Sequence, residues 1–88
     1  MSKYNIISVV SDSADNTYEG ELRGSYDTEE EARRHLPSIE AIKAEMRKEK
    51  QQGARYSDTT AFEYVLEEEN EYDDEIEIDR HMVYFSEI

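Results

Sequence analysis

The sequence predicts an α+β fold: a small antiparallel sheet of four to five strands in ββαββ order, with one kinked helix or helix pair packed on one face. Three observations lead there. Period-two runs of β-branched and aromatic residues occur near both ends of the chain. An apolar stripe at spacings of three and four occupies the middle. Clusters of turn-forming residues separate these segments. Each element then has one apolar side to bury, and a helix laid on one side of a sheet buries both.

Residues 3–10, KYNIISVV, are rich in strand-forming types and read as a buried strand. Ser11 to Asn16 is a turn cluster. From Tyr18 to Tyr26 the chain alternates, with Tyr18, Leu22 and Tyr26 sharing a face with Gly20 and Gly24, and Glu19, Glu21 and Arg23 on the other. The two segments form a hairpin in this reading, with the glycines marking a bulge or a close approach.

Asp27 with Glu30, or Thr28 with Glu31, has the spacing of a capping box, and three glutamates follow where a helix dipole favours negative charge. Ala32, Leu36, Ile39, Ile42 and Met46 form the stripe, cations gather at Lys43 to Lys50, and Gly53 marks the stop. Pro37 interrupts this helix, so a kink or two helices at an angle are expected, and the stripe's unbroken phase favours the kink. After a loop at 54–58, Thr60, Phe62, Tyr64 and Leu66 alternate with Ala61, Glu63, Val65 and Glu67. An acidic connection from Glu68 to Asp74 leads to a last strand, with Glu75, Glu77 and Asp79 on one face and an irregularity expected at Asp79–His81.

Eighty-eight residues make one domain, 1–88, with a thin core. The absence of Cys rules out disulfides and thiolate metal sites and favours a reducing, cytoplasmic setting. The apolar run Ile6–Val10 is too short for a signal peptide or a membrane span.

A formal charge of −13 disfavours direct binding to nucleic acid or an anionic membrane and favours basic partners. The charge is uneven: residues 1–27 carry −3, residues 28–52 zero, and residues 53–88 carry −10. Nine acids fall within the thirteen residues 67–79. The candidate partner-binding residues are therefore Glu67, Glu68, Glu69, Glu71, Tyr72, Asp73, Asp74, Glu75, Glu77 and Asp79, with Tyr72 and Tyr64 as aromatic anchors.

Other chemistry finds little in the sequence. DSADNT at 12–17 puts Ala14 and Thr17 where a calcium loop needs an acid and a glycine. His35 and His81 do not make a zinc site, and neither a nucleophile motif nor a glycine-rich phosphate loop is present. No cofactor is expected, and no catalytic residue. In size, acidity, lack of Cys and sheet-plus-helix layout, the chain resembles the small acidic proteins that bacterial viruses make against restriction or CRISPR nucleases, some of which mimic nucleic acid. That resemblance implies a non-enzymatic inhibitor seated in the basic groove of a nucleic-acid-binding protein or nuclease complex, and assigns no individual residue. The alternatives are an accessory homodimer whose acidity serves solubility, and a weak divalent-cation binder near Asp73–Asp74.

Overall fold

The computed structural model describes residues 2–14, 17–72 and 74–88, with Thr17 through its backbone alone. Four ten-residue strands and two helices follow the expected order: β1 (Lys3–Asp12), β2 (Thr17–Tyr26), α1 (Glu29–His35), α2 (Ile39–Gln51), β3 (Thr60–Glu69) and β4 (Glu75–Tyr84), closed by a 3₁₀ turn at Phe85–Glu87. The sheet order is β2-β1-β3-β4, and every neighbouring pair is antiparallel. Both expected hairpins form, and the two inner strands, β1 and β3, are the ones whose sequences are apolar on both faces. The Cα atoms span 16 Å along the shortest axis, the thickness of one sheet and one helical layer. No helix among the described residues is long and apolar enough to cross a membrane.

Pro37 divides the helical segment into α1 and α2, the helix pair rather than the single kinked helix. Leu36 is extended (φ −72°, ψ 116°), the conformation a following proline imposes. Ser38 then starts α2 afresh, its Oγ accepting from the Ala41 amide at 3.1 Å. Thr28 caps α1 in the same way, accepting from the Glu31 amide. The break is held against the sheet by His81, whose Nδ1 donates to the Pro37 carbonyl at 2.6 Å.

The stripe survives the break because both helices lie on the same side of the sheet. Ala32 of α1 packs with Ile6 and Leu66; Ile42 and Met46 of α2 pack with Val83; Tyr64 touches both groups. Tyr26 folds back over Gly24 and stacks on His35 at 4.7 Å. A Cβ at Gly24 would stand 2.7 Å from the Tyr26 hydroxyl, so this glycine marks a close approach.

The first hairpin's turn differs in extent from the sequence reading: Ser11 and Asp12 continue β1, Ser13 and Ala14 turn, and Asp15 and Asn16 lie outside the described residues. Asp12 ties this turn to the loop before β3, accepting from the hydroxyls of Ser57, Thr59 and Thr60 and from the Ala14 amide. Those hydrogen bonds, with Ser57 the foremost, lower its pKa to about 2.

Helix α2 ends in a Schellman arrangement. The Ala54 amide donates to the Glu49 carbonyl and the Gly53 amide to Lys50, with Gly53 at φ +97°. No side chain or backbone lies within 4 Å of a Cβ built on Gly53, so its requirement is conformational and not steric crowding. Gly53→Ala is expected to lower stability by about 1 kcal/mol, read from urea denaturation. Unchanged stability would contradict the left-handed cap.

Candidate functional site

The face of the sheet away from the helices is uncovered by any other element among the described residues, and β-bulges at its two edges decide what it displays. Pairing of β1 with β2 shifts between Ile6 and Ile7, which leaves Arg23 without an opposite residue. Pairing of β3 with β4 shifts between Leu66 and Glu67, which leaves Ile78 without one. Because side chains alternate with period two, each extra residue turns the remainder of its edge strand over.

Reading straight across β2-β1-β3-β4, the open face carries successive rows about 6.8 Å apart. The first is Tyr18, Ser11, Ala61 and Tyr84; the second is Gly20, Val9, Glu63 and Met82; the third is Leu22, Ile7, Val65 and Arg80. Past the bulges come Ser25, Asn5, Glu67 and Glu77, and then Lys3, Glu69 and Glu75 on the three remaining strands. Three largely apolar rows thus adjoin two acidic ones.

This arrangement separates the ten acidic-segment residues singled out in the sequence. Glu67, Glu69, Glu75 and Glu77 come together as a two-by-two block, with cross-strand pairs Glu67–Glu77 and Glu69–Glu75. Asp79 does not join Glu75 and Glu77: the Ile78 bulge puts it opposite Leu66, facing the helices, where it accepts from Arg33 at 3.2 Å. Glu68 is on that same side and accepts weakly from the Tyr4 hydroxyl at 3.5 Å. The acidic connection is shorter than expected, since Glu68 and Glu69 extend β3. Glu71, Tyr72 and Asp74 belong to the exposed turn, where Asn70 Oδ1 accepts from the Tyr72 and Asp74 amides. Asp73 lies outside the described residues, and with it half of the cation site considered at Asp73–Asp74. No group of three or more ligating side chains among the described residues is placed to hold a metal ion. Tyr64 faces the helices and donates to Glu45 at 3.3 Å, so it does not flank the acidic block.

Arg80 sits between the apolar and acidic rows. It contacts the buried Glu63 carboxylate at 2.9 Å and Glu77 at 2.6 Å. Glu63 also accepts from Ser11 at 3.5 Å, and its ion pair is the means by which a carboxylate with 6% exposure is tolerated at the middle of the face. Glu67 Oε2 is buried without a hydrogen-bond partner, as is Glu63 Oε1, whose 2.9 Å approach to Arg80 is an ion contact without hydrogen-bond geometry. Burial first, then the charge of Glu75 beside it and that of Glu77, raise the Glu67 pKa above 4.5, with Arg80 opposing. Two carboxylates offer no donor to each other, so the Glu67–Glu75 contact becomes a hydrogen bond only when one of them takes up a proton.

Four open-face side chains with no place among the sequence's site candidates are exposed large hydrophobics: Tyr18 (71%), Leu22 (61%), Met82 (39%) and Tyr84 (39%). The sequence signal for them was the apolar character of both faces of β1 and β3, at Ile6–Ile7, Val9–Val10 and Val65–Leu66. With helices covering one face only, the second apolar face has to lie open.

No family model, curated protein or solved structure matches the chain.

The raised Glu67 pKa fixes a sign. Folding raises the pKa, so the folded state holds more protons, and stability falls as pH climbs from 4.5 through the folded value. Glu67→Gln removes that penalty. It is expected to raise the melting temperature at about pH 7 and to make no difference below about pH 4. A gain of equal size at both pH values would contradict this account of Glu67.

Proposed function

We propose that the chain is a non-enzymatic protein-binding module whose acidic block engages a Lys/Arg-rich surface, such as the nucleic-acid-binding groove of a partner protein. The observation carrying this reading is the placement of Glu67, Glu69, Glu75 and Glu77 on two paired strands. These strands hold four carboxylates within about 7 Å of their neighbours on one outward face. A disordered acidic tail would lose this arrangement and pay the entropy of ordering on binding. On strands, the charges are already fixed before a partner arrives.

Like charges so close repel one another, and the raised Glu67 pKa registers that repulsion together with burial. A cationic partner removes the repulsion, so association releases stress stored in the free protein. The mechanism is competitive: carboxylates occupy Lys and Arg positions that otherwise hold phosphates, and the partner's groove is blocked. Binding of this kind is fast and sensitive to salt. An inhibitor of a nuclease or of another nucleic-acid-handling protein fits this chemistry.

The test is capture from a bacterial lysate with wild-type protein and with the Glu67→Lys/Glu69→Lys/Glu75→Lys/Glu77→Lys variant. Wild type is expected to retain nucleic-acid-handling proteins at about 50 mM salt and to release most of them by about 300 mM. The variant should retain none of them. Capture of the same proteins by a folded variant would refute the reading.

A further inference from the structure

We infer that the docking surface is the open face as a whole, and that its occupant is a basic amphipathic segment of a partner protein. Its large apolar side chains would cover the Tyr18–Tyr84 half, and its Lys or Arg the Glu67–Glu77 half. This rests on the acidic reading above and adds to it the apolar half and the order of the two along the strands.

The apolar half has the anatomy of an interface. Val9 and Val65 form a floor with 3% and 4% exposure, although no element of the described chain covers that side of the sheet. Tyr18, Leu22, Met82 and Tyr84 surround the floor and remain substantially in water. A desolvated centre ringed by Tyr and Met is what alanine scanning finds where binding energy concentrates.

Charge and area select the occupant. A second copy of this chain would place apolar rows on apolar rows, a patch of roughly 400 Å² from strand and residue spacings. That is about half of what each partner contributes to a stable interface. Extending the overlap would bring in the acidic rows of a chain carrying −13, whose cations on this face, Lys3 and Arg80, already stand opposite or against its own Glu69, Glu63 and Glu77. A partner with its own cations can use both halves.

The spacing defines the partner's pattern. The centres of the two halves lie about 17 Å apart along the strands, two and a half rows. On a helix that distance is about eleven residues, so a basic cluster should follow the apolar anchors by about three turns on one face.

The experiment uses a synthetic helical peptide of about 18 residues with Leu anchors and Lys placed at that spacing. A control peptide has the same charges with every Leu replaced by Gln. Both are titrated into isotope-labelled wild-type protein and followed by amide shifts and fluorescence anisotropy. The amphipathic peptide should bind about tenfold or more tightly than the control, with shifts on Leu22, Met82, Glu67 and Glu77. Leu22→Ser/Met82→Ser, both at exposed positions, should show the same tenfold loss. Equal binding of the two peptides overturns the composite face while the acidic reading stands. Unchanged binding after Glu67→Lys/Glu77→Lys, no binding of either peptide, or shifts confined to the helical side overturns both. A wild-type dimer in sedimentation that Leu22→Ser/Met82→Ser dissociates overturns the inference in favour of a second copy.

Discussion

The structure depends on the register of four antiparallel strands, and above all on the extra residue in each edge strand. Without the bulge at Ile78, the pairing of Leu66 with Asp79 would continue into Glu67 with Ile78, and Glu75 and Glu77 would face the helices. Three or four carboxylates would then crowd the apolar side of the sheet beside Leu66 and Tyr4, at a desolvation cost a thin core does not offset. The bulge sends Glu77 and Glu75 to the open face. It also leaves Asp79 on the helical side, where Arg33 and the Arg80 amide receive it. Arg23 performs the matching switch on the opposite edge, placing Leu22 outward while Gly24 and Tyr26 face α1. One local device on each edge therefore divides the open face into an apolar end and an acidic end.

The order and type of the elements were legible because each rests on local chemistry. Thr28 with the Glu31 amide, Gly53, and Ala32, Leu36, Ile42 and Met46 of the stripe lie where the capping, stop and packing rules place them, while Ile39 is left exposed. At Pro37 the sequence leaves a kink and a helix pair both open, because a stripe that stays in phase fits either a bent helix or two helices on one sheet. Ser38, an N-cap residue immediately after the proline, was the available clue. The faces of the edge strands were harder to read. A bulge is a pairing event between two strands, and neither Arg23 nor Ile78 differs in type from its neighbours in a way that announces one. The irregularity expected at Asp79–His81 falls at Ile78, and that small displacement moved Asp79 to the opposite side.

The site was legible in composition and not in geometry. Concentration of charge in residues 67–79 is plain in the sequence, yet among the described residues only four of those carboxylates share the open face. The apolar half is not legible in the sequence because Tyr18 and Leu22 lie some sixty residues from Met82 and Tyr84, and become neighbours only through the β2-β1-β3-β4 order. A two-layer domain with an uncovered sheet leaves that face in water unless a partner covers it. Exposed tyrosine and leucine beside a block of glutamates give that face an apolar part and an acidic part.

The division of the open face is tested most directly by cross-strand proton contacts in the nuclear Overhauser spectrum of the free protein. Backbone contacts are expected to place Glu67 opposite Glu77 and Glu69 opposite Glu75, with Ile78 lacking an opposite residue. Contacts placing Glu67 opposite Ile78 and Glu68 opposite Glu77 would contradict it, because the carboxylates of β4 would then face the helices and the acidic block would not exist.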